Sequence, residues 1–287
     1  MRLSPRRLLY WLIPILIAVA GGHGYLNHHQ PRTNQNQPRT EQIQKRNQSS
    51  SLNHSNSSQP AQDNSQQNAN ESQLANLNFK PGSTGIVQVN NGQPTIQFKD
   101  FSQSKINYSQ LDRLNRAGQA TAYLTKQNLG RSAGRGRQMW KPTGWHNQPK
   151  YVNGKRVFPQ NRGHLIAYTL TFNLSKNGRY QPGAMGSEDN PLNLATQSAY
   201  SNQVLMQIYE QQVRDALASG SKVIYQVTPV FRGSELMPRG YHLQAVSNNN
   251  KVHFNVYLEN IQPGIEFFYN TGQSQVNPTV QVKEIQR

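Results

Sequence analysis

The chain has 287 residues, a formal net charge of +17 at pH 7 and no cysteine, which excludes disulfides, thiol catalysis and zinc–thiolate sites. About +13 of this charge falls on residues 78–287, so a polyanionic partner is expected there. Nucleic acid is the first candidate and an anionic cell-wall polymer or membrane the second, while solubility alone would explain the charge without any partner.

Residues 1–30 have the pattern of a targeting segment. Three arginines precede the apolar run 8–20, whose last three residues have the small-x-small form of a signal-peptide cleavage site. No charged residue follows until Arg32, so residues 8–26 are equally compatible with an uncleaved membrane anchor. Both alternatives predict export, to the medium or to the cell surface.

Residues 31–77 predict a disordered linker. Asn, Gln, Ser and Pro dominate this stretch, and large apolar side chains are almost absent. Such a segment buries too little surface to offset the entropy of the chain. The folded domain is therefore predicted to span residues 78–287, which is long enough for one sizeable core.

The first part of the domain predicts short strands. Residues 85–89 and 95–98 alternate in polarity around Asn90-Asn91-Gly92, which is a strand–turn–strand signal. Residues 108–124 are ambiguous between helix and strand, and the alternating residues after Gly118 favour a strand. Residues 130–141 then place several cations among glycines, which predicts a flexible basic loop.

Residues 198–220 predict an amphipathic helix. Apolar side chains recur at helical spacing from Leu205 to Leu217, and Gly220 is a good stop. The pattern after this helix changes to that of strands.

Three strands are predicted at residues 222–231, 240–246 and 251–258, the last two joined as a hairpin through Asn248-Asn249-Asn250. A further strand and turn are predicted from residue 265. These elements predict an α+β fold with an antiparallel β-sheet core and a few flanking helices, one of them beside the site.

The stretch Asn161-Arg162-Gly163-His164 carries the strongest chemical signal. A histidine can act as a general base, an arginine can contact phosphate in a bidentate way, and a glycine allows close backbone approach to a ligand. The chain contains no His-Glu-x-x-His or Gly-x-x-x-x-Gly-Lys pattern, so zinc peptidases and phosphate-loop enzymes are not supported.

Asn193 and Asn202 add neutral oxygen donors near the predicted helix start. A base, a cation and oxygen ligands for a hard metal are the parts that a phosphodiesterase needs. Structural alternatives stay open, because Asn193 also fits a turn, Asn202 a helix cap and Glu210 a surface position.

The order of these motifs resembles the DNA/RNA non-specific endonucleases of the ββα-metal type, and within them the bacterial DNA-uptake nucleases, which are exported and often held at the cell surface. The resemblance covers roughly residues 108–269. The matching motifs are Asn161-Arg162-Gly163-His164, Asn190-Pro191-Leu192-Asn193, Tyr200-Ser201-Asn202-Gln203 and Tyr209-Glu210, with Leu111–Arg116 and Lys141–Trp145 upstream.

The resemblance implies a role for each matching residue. His164 would be the general base, and Asn202 the single direct protein ligand of Mg²⁺, for which Mn²⁺ could substitute. Glu210 would hold a water of the metal's shell from outside. Asn193 would hold His164 or the phosphate in position, and Arg162 would contact phosphate.

Four further cations are predicted to follow the substrate backbone: Arg131, Arg135, Arg137 and Lys141. A solvated basic loop without a ligand explains the same residues. Contacts of this kind carry no sequence information, so low sequence specificity is expected.

The implied function is an exported Mg²⁺-dependent endonuclease that cleaves DNA, and RNA as well, to 5′-phosphate products, with no obligate protein partner. One departure is that position 161 is Asn, where the family most often has Asp. The alternative function is therefore a surface DNA-binding receptor with weakened catalysis or none.

Overall fold

A six-stranded antiparallel sheet forms the centre of the computed structural model, which describes residues 71–285. In chain order the strands are β1 (Ile86–Gln88), β2 (Lys105–Tyr108), β3 (Ala120–Leu124), β4 (Lys150–Val152), β5 (Lys155–Val157), β6 (Gln160–His164), β7 (Leu194–Ser198), β8 (Val223–Val230), β9 (Gly240–Ser247), β10 (His253–Glu259), β11 (Ile265–Phe268) and β12 (Gln273–Val276). The main sheet has the order β1-β10-β9-β8-β3-β2. The predicted α+β class with an antiparallel core is confirmed.

The described residues contain few helices. The main one runs through a π-helical turn, Ser201–Met206, into the α-helix α1, Gln207–Ala218. Short 3-10 turns lie at Asn90–Gly92, Phe98–Asp100, Lys126–Asn128, Tyr168–Leu170 and Pro191–Asn193. The predicted helix at 198–220 is confirmed, whereas its π-helical beginning was not predicted.

One face of the sheet carries the main apolar core. Leu205, Val213 and Leu217 of the helix are buried against Tyr225 and Leu243 of β8 and β9. Both of these strands are buried along their whole length. This packing fixes the helix against the sheet and so positions the residues at its beginning.

The opposite face of the sheet is polar and hydrogen-bonded. The Gln244 amide donates to Oε1 of Gln226, whose own amide donates to Oγ1 of Thr121. Residues 95–98 cross this face instead of forming the predicted second strand of a hairpin, so that prediction was wrong. The backbone N–H of Thr95 donates to Oε1 of Gln244, so a side chain replaces the strand partner that the alternating pattern had suggested.

Strands β6 and β7 form a separate antiparallel pair, and the helix begins directly after β7. The pair and the helix follow one another as strand, strand and helix, the order expected of a ββα unit. Two small hairpins, β4–β5 and β11–β12, complete the described strands. The predicted hairpin between β9 and β10 is confirmed, while β4, β5, β6 and β7 were not predicted as strands.

Residues 71–75 are helical, and Leu74 and Ala75 are buried against Val230 and Tyr257. The predicted linker boundary at residue 77 therefore falls after a segment that packs against the domain. The predicted targeting segment 1–30, including the candidate anchor 8–26, lies outside the described residues. Between residues 71 and 285, no helix is both long and apolar enough to cross a bilayer.

Candidate active site

A polar cleft of about 660 Å³ lies between β6, the basic loop and the beginning of the helix. Four of the predicted site residues line it, together with Asn161 of the same motif. The four are Arg135, Arg162, His164 and Asn202. Glu210 lines it from α1. The fold thus brings together residues as distant in the sequence as Arg135 and Glu210, which are 75 positions apart.

His164 ends β6 and is only 7 % exposed. Its Nε2 donates to the backbone oxygen of Glu188 at 3.0 Å, because a carbonyl can only accept. Its Nδ1 lies 3.4 Å from Nη2 of Arg135, which can only donate. The imidazole is therefore held as the neutral tautomer with Nδ1 as its basic nitrogen, which accepts from Arg135.

Burial and the neighbouring Arg135 guanidinium lower the pKa of His164 to about 4. The Glu188 and Ser187 backbone and the Asp189 carboxylate act in the opposite direction but do not compensate. His164 is therefore an unprotonated base at neutral pH.

Arg162 presents its guanidinium to the cleft. The guanidinium stacks 4.7 Å above the ring of Trp145, and its buried Nε has no hydrogen-bond partner among residues 71–285. A buried donor without a partner is costly, and a phosphate oxygen would satisfy it. Trp145 also lines the cleft.

A chain of amide side chains holds Asn202. Nδ2 of Asn161 donates to Oδ1 of Asn202 at 3.1 Å, and Nδ2 of Asn202 donates to Oε1 of Gln197 at 3.0 Å. An aspartate at position 161 could not donate the first of these bonds. Asn161, which departs from the family pattern, thus contacts Asn202, the expected metal ligand, directly.

Gly163 is required by packing and not by a ligand, contrary to the sequence interpretation. A Cβ at this position would overlap the Gln197 side chain that supports Asn202. The close approach of β6 to β7 at this point therefore serves the amide chain.

The π-helical turn brings Asn202 and Glu210 to the same cleft. Residues that are two whole turns apart lie on the same side of a helix. Two α-helical turns contain about 7.2 residues, and a turn with i→i+5 hydrogen bonds contains more than an α-helical turn. The π-helical turn therefore brings the eight-residue spacing from Asn202 to Glu210 closer to two whole turns. Glu210 is half-buried, and desolvation raises the pKa of its carboxyl to about 8, with Arg214 lowering it only in part.

Asn193 is fully buried and does not line the cleft. Its Oδ1 accepts from the backbone N–H of Ile166 and its Nδ2 donates to the backbone oxygen of the same residue, both at 2.9 Å. It therefore clamps the chain two residues after His164. Of the two expected roles, the contacts are those of positioning and not of phosphate binding.

Replacing Asn193 with alanine is expected to lower the free energy of unfolding by about 2–4 kcal/mol, because two buried backbone groups of Ile166 lose their partners. Urea denaturation followed by circular dichroism would measure this. Gln181→Ala, which removes an exposed amide, is the control. Equal stability of the two variants would contradict the clamp.

The basic loop divides into two parts. Arg135 reaches the cleft and lies 5.5 Å over the ring of Tyr168. Arg131, Arg137 and Lys141 are exposed and lie outside the cleft lining. The sequence predicts the same role for all four cations. In the folded loop, only Arg135 of the four lies beside His164.

Oxygen donors of the cleft fit a hydrated divalent cation. Within residues 71–285 no group of three or more His, Asp or Glu side chains is arranged to hold a metal, but the expected set is smaller. The Asn202 amide oxygen and the Glu210 carboxylate are hard donors, and the cleft leaves room for several waters, as Mg²⁺ prefers. A nearby cation would also favour the ionised form of Glu210, which burial disfavours.

Comparison with known proteins is consistent with this geometry. Residues 97–249 match the family model for DNA/RNA non-specific endonucleases. NucA from Streptococcus agalactiae with a magnesium ion bound is 29 % identical with a TM-score of 0.60, over 75 % of this chain and 99 % of NucA.

The same NucA with no metal bound is 30 % identical with a TM-score of 0.59, over 76 % of this chain and 99 % of NucA. Sda1 nuclease with a bound zinc ion is 22 % identical with a TM-score of 0.51, over 66 % of this chain and 95 % of Sda1. At 22 % identity, the likeness to Sda1 nuclease concerns the fold alone.

Proposed function

Since the chain belongs to the DNA/RNA non-specific endonuclease family, we propose that it acts outside the cell as a Mg²⁺-dependent enzyme that cleaves DNA and RNA to 5′-phosphate products. Endonuclease activity itself follows from family membership. The observation that carries the finer proposal is the neutral His164, whose Nδ1 faces a cleft shared with two guanidinium groups and the Asn202 amide.

His164 would take the proton of the attacking water on Nδ1. The bond from its Nε2 to the Glu188 backbone oxygen keeps the required tautomer throughout. The water oxygen bonds to phosphorus, the bond from phosphorus to the 3′ oxygen breaks, and solvent protonates the leaving oxygen. The phosphate then stays on the 5′ side.

Arg162 and Arg135 would hold the scissile phosphate. In the described part of the chain, the buried Nε of Arg162 is unpaired and the only hydrogen-bond acceptor of Arg135 is a neutral imidazole. An anionic phosphate is a far stronger partner for a guanidinium, so substrate would draw Arg135 away from Nδ1 and free the base.

Asn202 and Glu210 are the residues that would hold Mg²⁺ and its waters. When bound, the ion would stabilise the charge that develops on the phosphate and on the leaving oxygen. The hydrogen bonds from Asn161 and to Gln197 orient the Asn202 amide before any ion arrives.

Export rests on residues 1–30, and we propose either a cleaved signal or an anchor at residues 8–26. Fractionating cells that express the full chain, with N-terminal sequencing of the released protein, separates the two. Protein found only in the cytoplasm would contradict both.

The central test is cleavage of supercoiled plasmid by residues 31–287 with Mg²⁺ and with EDTA. Metal-dependent nicking, with fragments that polynucleotide kinase labels only after phosphatase treatment, is the expected result. Plasmid that is bound but never cut, across metals and pH, would replace the proposal with the DNA-binding receptor.

Salt is expected to inhibit strongly below saturating substrate. Binding through cations to backbone phosphates releases counterions, so kcat/KM for plasmid should fall at least tenfold between about 50 and 200 mM NaCl. A small chromogenic phosphodiester carries one charge and serves as the control, with little salt dependence. Equal salt dependence for both substrates would contradict the electrostatic contribution of the loop.

A further inference from the structure

The β4–β5 hairpin presents two different faces. Its register pairs Lys150 with Val157, Tyr151 with Arg156 and Val152 with Lys155, and paired residues share a face. Val152 and Val157 pack against the cluster of Met237, Ile265 and Phe267. The other face is thereby turned outward on a supported hairpin.

The outward face is aromatic and basic. Tyr151 is 67 % exposed and Phe158, just after β5, is 49 % exposed. The Arg156 guanidinium lies 4.9 Å over the ring of Phe158. Arg156 is paired with Tyr151 across the hairpin and stacks on Phe158, so the three side chains form a surface suited to flat, anionic ligands.

The hairpin and the basic residues of the cleft lie in one cationic stretch of the chain. Residues 113–187 contain thirteen lysines and arginines and no acidic residue, and they include Lys150, Lys155 and Arg156 of the hairpin. The described acidic residues lie on either side of this stretch in the sequence. An excess of cations over acidic residues favours a polyanionic ligand.

The hairpin leads directly into the catalytic strand. Asn147, just before β4, lines the cleft and accepts a hydrogen bond from the backbone N–H of Gln160, the first residue of β6. Phe158 is four residues before Arg162, so their Cα atoms are at most about 14 Å apart. A single strand can cover that span with about four nucleotides.

We propose that Tyr151, Arg156 and Phe158 form a stacking platform that binds unpaired bases next to the cleaved phosphate and so favours single-stranded nucleic acid. This inference rests on the proposed function. Bases within a duplex are already stacked and cannot lie on an exposed ring, whereas unpaired bases can. Backbone contacts in the cleft, in contrast, serve either form of substrate.

Binding by a His164→Ala background in EDTA tests the platform without cleavage. Fluorescence anisotropy would compare a 20-nucleotide single strand with the same sequence as a duplex. Adding Tyr151→Ala and Phe158→Ala should weaken single-strand binding about tenfold and duplex binding less than twofold. Equal losses for both ligands, or no loss, would overturn the proposal.

Matched variants keep this test interpretable. The exchange Tyr151→Phe with Phe158→Tyr retains both rings and should retain single-strand affinity. Tyr180→Ala, which removes a ring that is 45 % exposed outside the hairpin, should have no effect. Failure of the plasmid assay would refute the proposed cleavage, whereas a single-strand affinity independent of the hairpin rings would refute only the platform.

Discussion

Replacing His164 with alanine is expected to lower the rate of plasmid cleavage by about 10²–10⁴-fold, the usual contribution of a general base. No other histidine lines the cleft, so the described residues offer no second imidazole to take the proton. Single-turnover cleavage at saturating protein measures the chemical step apart from binding. Plasmid affinity should change little, because the neutral ring contributes no charge to binding.

His146→Ala is the matched control. His146 is exposed beside the cleft, and only its backbone N–H is bonded to Gln160, so its side chain can be removed without loss of that bond. A His146 variant with normal activity beside an inactive His164 variant would assign the base. A His164 variant that retained most of its activity would overturn the mechanism.

The pH dependence gives a second measure of the same residue. Because the pKa of folded His164 is lowered to about 4, the acid limb of kcat/KM is expected below pH 5 and not near 6.5. The unfolded chain takes up this proton near pH 6.5. The stability that the neutral His164 contributes to the folded state is therefore fully present above pH 6.5. It is lost as the pH falls towards 4, where the folded protein also takes up the proton.

Asn202→Ala is expected to lower activity at least about 100-fold at fixed Mg²⁺, because even residues that only support a metal ligand commonly contribute 10–100-fold. The substitution removes the amide oxygen that faces the cleft and breaks both bonds of the amide chain. Titrating Mg²⁺ into the cleavage assay would show whether excess metal recovers part of the rate.

Two companion variants separate metal binding from folding. Asn161→Ala leaves the Asn202 oxygen in place but unsupported, and a smaller loss of about tenfold is expected. Gln211→Ala removes an exposed side chain of the same helix and should be neutral. Similar losses for Asn202→Ala and Gln211→Ala would point to damage of the helix and not of a metal site.

Elements with local determinants could be predicted from the sequence. The β9–β10 hairpin has its turn signal in three consecutive asparagines, and α1 has its apolar spacing within one segment. The predicted site residues lie in short motifs whose order resembles the family that the chain belongs to, and several of them line one cleft.

Elements that depend on distant partners could not be predicted. The strand pattern at 95–98 was overridden by the Gln244 side chain, almost 150 residues away. The clamp by Asn193 and the packing of Gly163 against Gln197 depend equally on the paired strands. The sequence of β4–β5 also does not predict that Tyr151 and Phe158 are exposed while Val152 and Val157 pack against the core.

The π-helical turn at Ser201–Met206 restricts insertions and deletions in this segment during evolution. Each residue of an α-helix turns the chain by about 100°. Deleting one residue between 203 and 206 would rotate Asn202 by about that angle relative to α1, which Val213 and Leu217 hold in the core. Replacements on the exposed side of the turn should be tolerated, but insertions and deletions should not, so active homologues are expected to align here without gaps.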